Sequence, residues 1–393
     1  MTIAKKIDAF IEKSSWIRKM FEEGARLKAE HGPENVYDFS LGNPNVPPPE
    51  KFQDVLKSVI DSGGPGVHGY MPNPGYPFVR EALADHLSRE HDVPLTGDDM
   101  IMTCGATGAL NTIFKALLDP EDEVLTPTPF FVEYTFYADN HGGSLRTVPT
   151  HPDFSLDLDA IAGALTPKTK IVLINSPNNP TGQIYPAKDL KALGELLESK
   201  SKEIGRTIYL VSDEPYRKIV YDDVEVPTIF SAYPESIIAA SYSKDISLAG
   251  ERLGYIAIHP EASQKSELAS AMALTNRILG FVNAPALMQR VVAQLQGVTV
   301  DVGEYARKRK LLCEGLAECG YDFEWPPGAF YLFPRTPIPD DVEFVRALQN
   351  ELILVVPGSG FGGPGHFRIS YCVDDATIVN AMPGFKKVMA QFK

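Results

Sequence analysis

The sequence predicts an α/β fold: a large domain built on a mostly parallel seven-stranded sheet sandwiched by helices, plus a smaller α+β domain drawn from both chain ends. Three observations predict it. The chain has 393 residues, 44% of them hydrophobic, enough for more than one core. From about residue 100, seven short apolar runs alternate with helical segments, the pattern of a sheet with helices on both faces. After Asn283 that alternation stops.

Taken in order, the N-terminal stretch MTIAKKIDAFIEKSSWIRKMFEEGARLKAEHG reads as amphipathic helix broken by charges. Two irregular stretches follow, Leu41–Pro49 (LGNPNVPPP) and Asp61–Pro77 (DSGGPGVHGYMPNPGYP), whose prolines and glycines oppose regular structure. Loops of this length inside a compact protein usually carry function. The seven strand candidates are MIMTCG, DEVLTPT, SLRTVPT, KIVLINS, TIYLVSD, SIIAASYS and GYIAIHP. Beyond Asn283 the pattern predicts one long helix ending near Glu318, then a few strands and short helices. The resulting partition is an N-terminal arm and part of the small domain at 1–45, a large domain at 46–285 and a small C-terminal domain at 286–393.

Lys and Arg number 37 against 51 Asp and Glu, a formal charge of −14. Such a surface repels polyphosphate backbones and anionic lipid, which argues against nucleic-acid and membrane partners. No run approaches the roughly 20 apolar residues that span a bilayer, and the N-terminus lacks the apolar run and small-residue cleavage site of a secretory signal. The cysteines Cys104, Cys313, Cys319 and Cys372 are scattered without a CxxC pair, which suits a reducing cytoplasm. The eight histidines fall in no metal-binding spacing, so no metal is expected.

In a doubly wound sheet the ligand lies beyond the carboxyl ends of the strands, and several runs end there in unusual polar residues. Gly105, Ala106 and Thr107 open an amphipathic helix after MIMT; the free N–H groups and the helix dipole there make an anion site, or merely a tight turn. Asp213 closes an apolar run, where a carboxylate is costly unless it meets a cation, with Tyr216 three residues on; the plainer reading is a turn cap. Ser241, Ser243, Lys244 and Arg252 follow the next run. Lysines are mostly solvated surface charges, but one held between two buried strands has its pKa lowered and its free amine made available as nucleophile and base. Arg252 offers a planar fork for phosphate oxygens. Asn179 lies in the turn SPNNPTG after KIVLINS, and Arg368 lies within the apolar run FRISY, as a carboxylate clamp or as an edge-strand cation facing water.

In this order, LGNPN, NNPTG, DEPY, SYSKDISLAGERLGY and FRISY make the chain resemble the class I and II pyridoxal-phosphate-dependent aminotransferases over nearly its whole length. The resemblance implies the aspartate aminotransferase-like fold, pyridoxal 5'-phosphate as cofactor, and covalent attachment of that cofactor to Lys244. It implies that Asp213 pairs with the ring nitrogen and that Tyr216 and Asn179 donate to the phenolate oxygen. Gly105, Ala106, Thr107, Ser241, Ser243 and Arg252 would hold the phosphate. Phe131, or its neighbour Phe130, would stack on the ring. Arg368 and the Gly42 backbone would bind the substrate α-carboxylate. Tyr70 looks like the tyrosine that reaches the phosphate of a neighbouring subunit, which implies a homodimer with shared sites.

The implied reaction is ping-pong transfer of an amino group between an L-amino acid and a 2-oxo acid, with Lys244 as anchor and proton shuttle. The expected pair is aspartate and 2-oxoglutarate, followed by alanine or aromatic amino acids. Two residues bear on this choice. Arg277 sits roughly where some aspartate-using relatives place an arginine for the distal carboxylate, although the plainer reading is an exposed surface cation. Thr107 occupies a place where some bacterial relatives carry a lysine for that role. Competing activities are a carbon–sulfur β-lyase or cyclopropane-forming synthase on the same scaffold and, less consistent with the acidic charge, a non-enzymatic regulatory domain.

Overall fold

The computed structural model describes residues 3–12 and 16–392. Its elements run in chain order as α1 (Lys5–Glu12), α2 (Trp16–His31), β1 (Tyr37–Asp38), α3 (Glu50–Asp61) and α4 (Pro77–His91). The alternating region follows: β2 (Met100–Thr103), α5 (Gly105–Leu117), β3 (Glu123–Pro127), α6 (Glu133–Asn140), β4 (Ser144–Val148), α7 (Leu158–Ala164), β5 (Thr169–Asn175), α8 (Ala187–Ile204), β6 (Tyr209–Asp213), β7 (Ser236–Ser241), β8 (Gly254–Ile258) and α9 (Lys265–Ile278). The remainder is α10 (Ala286–Val292), α11 (Val302–Cys319), β9 (Tyr331–Leu332), α12 (Asp341–Asn350), β10 (Ile353–Leu354), β11 (Val356–Pro357), β12 (Phe367–Ser370) and α13 (Asp375–Gln391).

All seven apolar runs become strands β2 to β8 of one seven-stranded sheet, in the order β2-β8-β7-β6-β5-β3-β4. Only β8 runs antiparallel to its neighbours β2 and β7. The strands read as continuous apolar runs because both faces are covered. Successive residues alternate between two cores: Met100, Met102, Leu210, Ile238 and Ala240 pack on one face, and Ile101, Val211, Ile237 and Ala239 on the other. Burying each large aliphatic side chain contributes roughly 1.5–3 kcal/mol. This sheet is therefore a stiff platform. It sets the carboxyl ends of β2, β5, β6 and β7 along one edge, because β2 and β7 are each antiparallel to β8 and so share a direction.

The two chain ends meet in a third core. Strand β1 pairs in parallel with β10, and β11-β12-β9 form a small antiparallel sheet. Phe39, Phe330, Phe344, Phe367 and Phe385 pack together there.

The helix expected to run unbroken from Asn283 to near Glu318 is instead two helices, α10 and α11, separated by residues 293–301. Gly297 takes a positive φ of 79°, and the β-branched Val298, Thr299 and Val300 disfavour helix. Asp301 then restarts it as an N-cap, its side chain accepting the Gly303 N–H at 2.9 Å. The N-terminal helical stretch is present as α1 and α2; residues 13–15 between them, with residues 1, 2 and 393, lie outside the described residues.

Candidate active site

A pocket of about 340 Å³ lies beyond the strand ends where the large sheet meets the third core. Its walls come from Leu41 and Gly42 of the first irregular loop, the start of α5, the start of α6, the ends of β5, β6 and β7, and β9 and β12. Of the residues singled out in the sequence, Gly42, Ala106, Thr107, Phe131, Asn179, Asp213, Tyr216, Ser241, Ser243, Lys244, Arg252 and Arg368 all line it.

Lys244 follows β7 into this pocket and donates from Nζ to the Gly42 carbonyl at 2.7 Å. Burial, together with the nearby Arg368 and Arg252 guanidinium groups, pushes its pKa down from 10.5 to about 8. A neutral amine is therefore accessible near physiological pH, which an exposed lysine does not offer.

Asp213 ends β6 with its carboxylate buried. One oxygen, Oδ2, accepts from the Tyr134 hydroxyl at 2.6 Å, while Oδ1 is buried with no partner among the described residues. Burial raises its pKa from 3.8 to about 7, with Glu214 adding repulsion and the Tyr134 bond opposing both. An orphaned buried carboxylate oxygen costs stability unless a cationic N–H meets it.

Arg368, on β12, is the opposite case: a cation only 2% exposed and without an acidic partner among the described residues. Its Nη1 donates to Asn179 Oδ1 at 3.0 Å and its Nη2 to the Ser40 carbonyl at 2.6 Å, both uncharged acceptors. The rings of Tyr331 and Phe361 each lie 4.7 Å from its guanidinium carbon, and Nε is buried and unpaired. Burial lowers its pKa. A buried cation held by neutral groups suits an incoming carboxylate.

A third subsite forms at the start of α5. Gly105 adopts a φ of +73°, and a Cβ there would stand 2.9 Å from Arg252 Nη2. The bare backbone thus lets the guanidinium sit against the helix N-terminus, so Gly105 contributes although it is not part of the lining itself. Arg252 is in the left-handed region at φ 54° and donates to the Ala249 carbonyl at 2.9 Å. With Ser241 and Ser243 opposite, the cradle presents N–H, O–H and guanidinium donors to one anion.

Phe131 lines the pocket and meets Tyr134 edge-on at 5.6 Å, whereas Phe130 is not part of the lining and lies beside Gly362. Tyr70, 92% exposed, does not line the pocket of its own chain, and Arg277 is an exposed residue on the last turn of α9, also away from it.

Several contributors escaped the sequence reading. Tyr134 holds Asp213. Tyr331 shares a 2.8 Å hydrogen bond with the Tyr216 hydroxyl. Asn175 donates to the Asp213 carbonyl at 2.7 Å and accepts from the Asn179 N–H at 2.7 Å. Glu133 and Tyr137 complete the wall. A polar residue at the end of β5 was a usable signal for Asn175; Tyr331, in the apolar run AFYLF, carried none.

The family described as aminotransferase class I and II matches residues 34–383. The chain is 31% identical over 360 residues to the "Probable aspartate aminotransferase" of Methanocaldococcus jannaschii, covering 89% of this chain and 92% of that one. Among solved structures, an amino transferase from Eubacterium rectale superposes with a TM-score of 0.97 at 40% identity over 100% of both chains. The aspartate aminotransferase of Thermus thermophilus with maleate gives 0.87 at 29% identity over 99% of this chain and 100% of that one. With this fold and this match along its length, the chain belongs to the class I and II aminotransferases and is a transaminase.

Proposed function

We propose that this aminotransferase works with pyridoxal 5'-phosphate held in the pocket of Lys244, and that it moves an amino group between an L-amino acid and a 2-oxo acid. One observation carries the reading: the buried Asp213 and Arg368 and the half-buried Lys244 face a single pocket, and Asp213 Oδ1 and Arg368 Nε each lack a partner among the described residues. The residues fit the cofactor. Asp213 Oδ1 suits a protonated ring nitrogen, and the donors of Gly105, Ala106, Thr107, Ser241, Ser243 and Arg252 suit its phosphate. Phe131 offers a face for the ring, and Tyr216 and Asn179 can donate to its phenolate oxygen. Bound there, the cofactor supplies an electrophilic aldehyde carbon and a cationic ring that draws electrons from the substrate Cα.

The chain's own groups do the rest. Arg368 and the Gly42 backbone bind the substrate α-carboxylate and fix the orientation of the Cα–H bond. The neutral Lys244 amine removes the Cα proton and carries it to the acceptor carbon. Asp213 keeps the proton on the ring nitrogen.

The same reading includes a cytoplasmic homodimer in which Tyr70 of a second copy reaches the phosphate cradle. The exposed, largely apolar surface of Tyr70, Leu274, Ile278 and Val282 supports the dimer, and four free cysteines support a reducing compartment. In the partition at 1–45, 46–285 and 286–393, the pairing of β1 with β10 supports joining the first segment to the last, while Met288, Val291 and Val292 of α10 pack in the core of the large sheet. Several relatives are named for aspartate, which favours the expected pair of aspartate and 2-oxoglutarate. The lining cations of this chain, however, are Lys244, Arg252 and Arg368, each already given another task, so none remains for a distal carboxylate.

Borohydride reduction of protein incubated with pyridoxal 5'-phosphate, followed by peptide mass spectrometry, tests the assignment. The expected adduct is on Lys244. Absence of an adduct, or one confined to surface lysines, contradicts it.

A further inference from the structure

The pocket contains one carboxylate that the reaction leaves unused. Among the lining residues the acidic side chains are Asp213 and Glu133. Glu133 opens α6, two residues after Phe131 and four before Tyr137. The i, i+4 spacing sets Glu133 and Tyr137 on one helix face, and the Tyr137 hydroxyl lies 3.3 Å from Thr107 Oγ1. Thr107, Tyr137 and Glu133 thus form one polar edge of the pocket.

Arg368 takes the α-carboxylate, Lys244 the α-carbon and Thr107 the phosphate, so Tyr137 and Glu133 are the part of this edge left for the side chain of a bound amino acid. Asp213 is held by Tyr134. The Glu133 side chain, by contrast, makes no hydrogen bond or ion pair with a described residue and has only the Tyr137 ring as a neighbour that feels its charge. No cation among the described residues offsets it; its pKa is raised by burial alone.

We propose that Glu133 sets the side-chain class of the substrate: L-amino acids whose side chain ends in an N–H donor, amide or ammonium, over those that end in a carboxylate. The proposal rests on the amino-transfer reading above. An N–H donor gives the unpaired carboxylate a charge-assisted partner in a water-poor pocket. A second substrate carboxylate meets like charge there and finds no free cation.

Isosteric ligands that cannot react separate these cases. Glutarate and glutaramate have the same length and differ in one end, carboxylate against amide. Their binding to the cofactor-loaded enzyme is measured by calorimetry, beside single-turnover bleaching of the cofactor band by glutamine, lysine, glutamate and aspartate. Wild type is expected to bind glutaramate at least about tenfold more tightly than glutarate, about 1.4 kcal/mol, and to react faster with glutamine or lysine than with glutamate. Glu133→Gln is expected to erase or reverse both preferences; since Glu133 has no internal partner, this variant should fold as wild type does. Glutarate binding as well as glutaramate in wild type overturns the proposal, and is also the outcome if a cation from a second copy neutralises Glu133. An unchanged ratio in Glu133→Gln overturns it too. If no amino acid bleaches the band, the amino-transfer reading and this proposal fall together; bleaching with a flat ratio removes the proposal alone.

Discussion

Each central residue of the site is held in a state that solvent would not favour. Arg368 is a buried cation facing neutral acceptors, and Arg368→Ala should raise KM for amino acids. The expected loss in kcat/KM is about a hundredfold, the worth of one good charged hydrogen bond at roughly 1.5–3 kcal/mol, with cofactor still bound; unchanged steady-state kinetics would remove it from the site. Asp213 gives a pH dependence of definite sign. Its pKa rises from 3.8 to about 7 on folding, so the folded, cofactor-free protein binds the proton more tightly than the unfolded chain. That contribution is fully present below about pH 4 and is lost as pH rises through about 7. Asp213→Asn should therefore raise the Tm of cofactor-free protein at pH 8 by a few degrees and leave it nearly unchanged at pH 4. A lower Tm at pH 8 would show that the carboxylate is not strained there. These residues were legible because strand-end polar groups in a parallel sheet are few and costly. Tyr134 and Tyr331 were not, since their roles arise from contacts across 79 and 115 residues of chain and aromatic residues in apolar runs read as core.

Secondary-structure elements turn these residues into a site. All seven strands could be read from the apolar runs, because a sheet covered on both faces must be apolar on both. The break between α10 and α11 was harder to see, since Gly297 and an Asp301 cap interrupt a segment whose composition still looks helical. At the start of α5, close approach is the controlling fact. Gly105→Ala would put a methyl 2.9 Å from Arg252 Nη2 in a backbone region at φ +73°. A cost of about 1–3 kcal/mol follows from the strain, and Arg252 must shift. The expected result is a Kd for pyridoxal 5'-phosphate at least about fivefold weaker, read by fluorescence titration, with the far-UV spectrum unchanged. Wild-type affinity would show that the cradle does not depend on that contact.

At the scale of the molecule, the pocket joins the large sheet to a core shared by both chain ends, so residues as distant in sequence as Gly42 and Arg368 face each other. No helix among the described residues is long and apolar enough to cross a membrane. The exposed Tyr70, Leu274, Ile278 and Val282 are the surface on which the proposed dimer rests. Ile278→Glu should shift sedimentation toward the monomer and lower activity, because Tyr70 could no longer complete the partner's cradle; a fully active monomer would refute the shared site. In the proposed reaction Lys244 serves as both covalent anchor and proton carrier for amino transfer. The most direct test of this role is the visible absorption spectrum of wild type and Lys244→Ala loaded with pyridoxal 5'-phosphate, followed as an amino acid and then a 2-oxo acid are added. Wild type is expected to show a band that bleaches with the amino acid and returns with the 2-oxo acid, and Lys244→Ala to lose this cycle by about a thousandfold or more in rate. A variant that still cycles at the wild-type rate would contradict it.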